Sequence, residues 1–237
     1  MQVKILRECG YEEALLGLSL SFYDHKMPLF APGSKTVDKA RAEARAPSSL
    51  PTPFWTDERY AKAQKIALHL ATKTPPEDYE TRNNMAYISA EQKFLESIDL
   101  WIFIQASRDF WSEFDTYRVD TTKQSSSTMH TLHRRLVDFS DFEEGIHFNT
   151  AATLNSCLIE YKDPESSHYH NVSRLKKNLP EGWLQERVVK LSYKTLKNIL
   201  DQRDGHRLTQ WKYFYDEIIS QVEHPEFLLP KEVKQEV

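Results

Sequence analysis

Glycine is scarce in this chain, six residues in 237. A Walker phosphate loop, a Rossmann GxGxxG turn and a GxSxG nucleophile elbow all depend on glycine, and none of the three occurs. Cysteine is scarcer still. Cys9 and Cys157 are too few for a disulfide framework and form no CxxC metal pair, which favours a reducing compartment. No apolar run approaches the roughly 20 residues of a membrane-spanning helix. The opening MQVKILRECGYEE lacks the apolar core of a signal peptide, so no membrane association and a cytoplasmic location are expected. A basic excess is also missing. Lys and Arg number 31 against 35 Asp and Glu, a formal charge of −4. Direct nucleic-acid binding is therefore not expected, and any anionic ligand must be met by local charge.

What remains is an ordinary globular composition, 40% hydrophobic and 28% charged, enough for one folded domain over residues 1–230. Pro28, Pro32, Pro47, Pro51 and Pro53 mark a long irregular segment at 24–56, and the tail at 231–237 is charged. QVKIL reads as a first strand ended by Cys9-Gly10, and a helix follows from Tyr11 to Phe22. Thr56 can cap a second helix over 57–71. IDLWIFIQA alternates Ile98, Leu100, Ile102 and Ile104 with Asp99, Trp101, Phe103 and Gln105, a strand pattern. Phe110, Phe114 and Tyr117 give a helical stripe over 109–119, with Glu113 and Thr116 on an adjacent face. A polar loop, DTTKQSSSTM, comes next. LHRRLVDF reads as helix and DPESSHYHN as loop, with the rest of 131–190 unassigned. Leu196, Ile199 and Leu200 share a helical face with Arg203. Asp204-Gly205 ends that helix, and Leu208, Trp211, Ile218, Ile219 and Val222 define another.

Arg203 lies on an apolar stripe, so it must snorkel, pair with a carboxylate or meet a ligand anion. Lys194, Asn198 and Arg203 together put two cations and an amide on one helix, a set suited to a phosphate and a heterocycle edge. The loop at 120–129 is either a solvated linker or an anion loop in which hydroxyls, amides and Lys123 cradle a phosphate. His130 with His133, and His168 with His170, lack the further ligands a metal site needs, and no metal is expected.

TYRVDTTKQSSSTM, residues 116–129, resembles the RHRxxSxNExSxRY signature of the flavin-dependent thymidylate synthases. SYKTLKNILDQR at 192–203, followed by HRLTQW at 206–211, resembles their later NARSLxNFLxLR segment and the HAQWEI after it. The resemblance spans roughly 90–215, and the wording EFDTYRV with KQSSSTMHT is similar to a divergent branch found in phage genomes. It implies an α+β fold, a mixed or antiparallel sheet packed with helices, in a homotetramer of a bacterial or phage-infected cell. It implies FAD as cofactor, methylenetetrahydrofolate and NADPH as further reactants, and a pyrimidine deoxynucleotide such as dUMP as substrate. The reaction would be one-carbon transfer to C5, or a related change such as hydroxymethylation, with no cysteine nucleophile and no catalytic side chain assigned. A relative that binds nucleotide or flavin without turnover is the alternative.

Carried over by position, Arg118, Lys194 and Asn198 fall to the cofactor, and Ser126 and Arg203 to the nucleotide, with Lys123, Gln124 and Arg187 beside them. Thr116, Tyr117, Gln124, Thr128 and Met129 replace Arg, His, Glu, Arg and Tyr of the first signature. Ser192 replaces Asn of the second, and Glu91 stands about where a flavin-contacting histidine is expected. Lys123 and Arg187 would then make up for lost phosphate-binding charge.

Overall fold

The computed structural model describes residues 1–21, 57–72 and 91–229. The Pro-rich segment at 24–56, the Thr56 cap and the tail at 231–237 lie outside them. The chain divides into two compact units, each assembled from separated stretches of sequence. No described helix is long and apolar enough to cross a membrane.

The first unit holds a four-stranded antiparallel sheet, in an α+β arrangement. Its strands are β1 (Gln2–Cys9), β2 (Asp99–Ser107), β3 (Thr121–Ser125) and β4 (Leu184–Ser192), in the order β1-β2-β4-β3. Alternation in β2 is obeyed: Leu100, Ile102 and Ile104 are fully buried and the residues between them are half-buried. Gln221 braces the β1 edge by accepting from the Ile5 N–H at 3.1 Å and donating to the Val3 carbonyl at 3.1 Å.

Helix α3 (Arg108–Phe114) leaves β2 directly and packs its aromatic face on a later helix (Thr209–Gln221). Phe110, Trp111, Phe114, Trp211 and Phe214 interlock there with centroid separations of 4.5 to 6.0 Å. Gln210, buried, ties the two elements by donating to the Ser107 Oγ at 2.7 Å. A second cluster, with Leu132, Val137, Phe142, Leu154, Leu158 and Leu175 buried, forms around two helices that the sequence pattern leaves unassigned (Phe148–Lys162 and Val172–Lys177).

In the second unit, α1 (Tyr11–Leu20) packs on α2 (Asp57–Ala71) and on a 3-10 turn at Gln92–Ser97. Buried Arg59 donates to the Ser19 Oγ at 3.1 Å, and the Gln92 amide closes the end of α2 by donating to the Leu70 carbonyl at 3.0 Å. Tyr60 donates to Glu12 at 2.9 Å; burial first, and then that carboxylate, push its phenol upward.

Three expectations are corrected. The helix read over 109–119 stops at Phe114, because the Lys123 ammonium takes the carbonyls of Phe114 and Tyr117 at 3.2 and 3.1 Å. Half of the polar loop is strand: Thr121–Ser125 pairs antiparallel with β4, from Thr121 opposite Leu191 to Ser125 opposite Arg187, and Thr128 opens a short helix. LHRRLVDF is helical only as a 3-10 turn at Leu132–Arg134; Arg135 is extended, and the Asn155 amide grips both Val137 backbone groups at 2.8 and 2.9 Å.

Candidate functional site

All the site residues singled out from sequence lie in the first unit except Lys194. Lys194 pairs with Glu96 at 2.6 Å in the second. Two cationic clusters flank the end of α3, each built on a carboxylate from α3 or the residue just after it.

The first is centred on Arg203, the last residue of the helix Tyr193–Arg203. Its Nε donates to the Tyr117 hydroxyl at 2.8 Å and its Nη1 to Glu113 Oε2 at 2.9 Å. The guanidinium carbon stands 4.6 Å from the Trp211 ring centroid and 5.4 Å from that of Tyr117. Glu113 Oε2 also accepts from Trp211 Nε1 at 2.6 Å. His206 accepts the Leu208 N–H on Nδ1 at 3.1 Å, and its Nε2 lies 3.0 Å from Arg203 Nη1 and 3.4 Å from the same Glu113 oxygen. Two donors, Arg203 Nη1 and Trp211 Nε1, thus converge on one carboxylate oxygen. Arg203 Nη2 has no partner among the described residues. Beside this clamp a depression of about 690 Å³ is lined by Glu113, Asp204, Gly205, His206, Arg207 and Leu208.

The second cluster is centred on Asp115. Arg187 Nη1 bridges its two oxygens at 2.8 and 3.0 Å, and Lys123 Nζ reaches Oδ1 at 3.1 Å. Gln185 Oε1 takes the remaining fork of Arg187, from Nη2 at 2.9 Å and Nε at 3.3 Å. The guanidinium lies over Trp111 at 4.2 Å. Burial by itself would raise the Asp115 carboxyl, but hydrogen bonds and charge from Arg187 and Lys123 outweigh it and hold the group below the usual carboxylate range. Stability from this pairing is therefore present above the ordinary carboxylate pKa and is lost as the pH falls through the depressed value. Asp115→Asn should cost about 1–2 kcal/mol at neutral pH, a reduced figure because the carboxylate is half-exposed, and the gap should close as the pH falls through the depressed carboxylate value. Chemical denaturation of both proteins across that range checks this.

Arg118 is exposed in the turn before β3 and has no partner among the described residues. Gln124 and Ser126 are exposed on and just after β3; the Ser126 N–H is taken by the Glu186 carbonyl at 3.0 Å. Asn198 is exposed, with Oδ1 accepting from Gln202 at 3.0 Å and Nδ2 uncommitted among the described residues. The structure thus brings Lys123 and Arg187 together and sets Arg203 in a separate clamp. Sequence reasoning missed Asp115, Gln185, Trp211 and His206 as members of these clusters. Its only signal for a carboxylate partner was Glu113 on the face beside Tyr117.

No protein-family model matches the sequence, and no curated protein matches it significantly. Solved structures do. The flavin-dependent thymidylate synthase ThyX of Helicobacter pylori, crystallised with FAD and dUMP, superposes with a TM-score of 0.59 at 12% identity. The match covers 96% of this chain and 97% of that one. A second structure from the same organism, with FAD and dUMP at 2.31 Å resolution, gives 0.58 at 12% identity over the same shares. The chain has the ThyX fold.

Proposed function

We propose that this protein is a flavin-dependent one-carbon transferase acting at C5 of a pyrimidine deoxynucleotide, thymidylate synthase-like, on dUMP or a close relative of it. The observation that carries the reading is the Arg203 clamp, an oriented guanidinium at a nucleotide-binding position of the resemblance. It is set in a fold whose neighbours were crystallised with FAD and dUMP. Methylenetetrahydrofolate as donor, NADPH as reductant, residues 1–230 as one functional domain and a homotetrameric assembly belong to the same proposal. Hydroxymethylation is the variant outcome.

The donors present fit a flavin dinucleotide in kind. Arg118 offers an uncommitted guanidinium for a phosphate, and Asn198 an uncommitted amide for a polar ring edge. Bound flavin supplies the hydride chemistry. The chain's own part is binding and alignment. Trp211, Tyr117 and Glu113 fix the plane of Arg203, so that its open edge can hold one oxygen of the pyrimidine in place. Ser126 contributes a hydroxyl.

A nucleotide- or flavin-binding relative without turnover is the second reading. It is favoured by the commitment of Lys123 and Arg187 to Asp115 and by the loss of the signature arginines to Thr116 and Thr128. Visible absorption of the purified protein, before and after FAD addition and gel filtration, tests both. Retained flavin whose spectrum shifts with dUMP, together with deuterium or tritium release from C5, supports the enzyme. Retained flavin with no release leaves the second reading. A colourless protein that takes up no FAD sinks the flavin mechanism.

A further inference from the structure

The two edges of the sheet, β1 and β3, are guarded differently. A strand edge with open N–H and C=O groups invites another strand, and folded proteins blunt it with outward charge, proline, a bulge or a covering element. At β1 the Gln221 side chain takes that part, bonded to both Val3 and Ile5. β3 has no such device among the described residues. Its Thr-Thr-Lys-Gln-Ser contains no proline, and its register with β4 runs without a bulge from Thr121 to Ser125. Its one charge is turned away from the edge. The Lys123 ammonium is spent on the Phe114 and Tyr117 carbonyls and on Asp115, and the side chain is only 15% exposed.

The ladder also fixes which backbone groups are open. The Ser126 N–H bonds the Glu186 carbonyl, so the backbone groups of Gln124 and Thr122 are likewise aimed at β4, and those of Thr121, Lys123 and Ser125 point outward. A second copy of the same strand fits that open row. Antiparallel pairing about a two-fold axis at Lys123 sets Thr121 of one copy opposite Ser125 of the other, and Thr122 opposite Gln124. Both pairs are polar and uncharged. Two lysines meet at the axis, and the Asp115 carboxylate in each copy removes their repulsion. The same operation brings Val119 of one copy, 84% exposed, toward the end of the strand where exposed Met129 of the other lies.

We propose that two copies of this chain join through β3, edge to edge and antiparallel about Lys123, into one continuous eight-stranded sheet. A tetramer would contain this contact as one of its interfaces. The side chains of Gln124 and Ser126 stay on the open face of the sheet, where the contact leaves them accessible to a nucleotide. The inference takes nothing from the flavin reading, and a protein that binds no FAD would leave it standing.

Sedimentation equilibrium of the full chain tests it. The parent protein should have twice the mass of one chain or a larger even multiple. Ser125→Pro removes one outward N–H and no bond to β4, so it should fold, by circular dichroism, and show half the parental mass. Thr122→Glu with Gln124→Glu sets like charges opposite each other twice and should raise the dissociation constant about tenfold or more. Thr122→Glu with Gln124→Lys sets opposite charges there and should restore the parental mass. Hydrogen exchange in the parent needs no variant: the Thr121, Lys123 and Ser125 amides should gain protection as concentration rises, while those of Thr122 and Gln124 stay protected throughout. A monomer at every concentration, a mass unchanged by Ser125→Pro, equal constants for the two charge pairs, or outward amides that exchange freely in a concentrated sample would overturn the inference.

Discussion

Trp211→Ala should lower the unfolding free energy by about 3–5 kcal/mol, the range for deleting a large buried aromatic. The ring is almost wholly buried and meets Phe110, Phe114, Tyr117, Phe214 and His206. Its Nε1 donates to Glu113, and its face carries the Arg203 guanidinium. Truncation opens a cavity in the aromatic layer and removes one donor from the carboxylate that orients Arg203. Trp211→Phe separates the two effects. It keeps most of the packing and loses the N–H, so about 1–2 kcal/mol is expected from the hydrogen bond and the smaller ring. Thermal and urea melts of the three proteins check the order. Similar losses in both variants would mean that the Glu113 contact, and not the packing, dominates.

Gly10→Ala should be nearly as damaging, by about 3 kcal/mol or more, with two independent causes. Gly10 joins β1 to α1 at φ +95°, a left-handed conformation that side chains disfavour. A Cβ added there would fall 2.0 Å from the Ser97 carbonyl oxygen, a backbone atom that cannot swing aside. The Gly10 carbonyl also accepts the Ala14 N–H at 2.9 Å, so the shift needed to relieve the clash would disturb the first turn of α1. Gly17 is the control, since a methyl there would meet no atom within 4 Å: Gly17→Ala should be neutral or mildly stabilising in that helix. Hydrogen exchange over α1 would show whether the loss is local or global.

The parts of the fold that were legible in sequence are those whose burial follows a simple period. β2 shows Leu100, Ile102 and Ile104 alternating with polar or aromatic residues, and α2 runs over Asp57–Ala71 as its spacing suggests. β3 gave no such sign. It is an edge strand of Thr, Lys, Gln and Ser, held by backbone pairing to β4 and not by a buried face. The helix Phe148–Lys162 buries Ala151, Leu154, Cys157 and Leu158, but exposed Phe148 and Ile159 blur the stripe. At the site, Arg203 was visible as a cation on an apolar face. Its partners Glu113 and Tyr117 lie 90 and 86 residues earlier, a distance over which no local pattern reports.

The sheet order also constrains when the protein can fold. No strand in β1-β2-β4-β3 is joined to its neighbour by a hairpin: β1 waits for β2 near residue 100, and Thr121 pairs with Leu191. Loop closure must precede every one of these pairings, which slows the search. On the ribosome, β1 and β2 are synthesised long before β4, the strand that joins both halves of the sheet. The nascent chain therefore carries the apolar strand β2 with one edge unpaired until Leu184–Ser192 emerges, an interval in which a holdase chaperone would have most to protect.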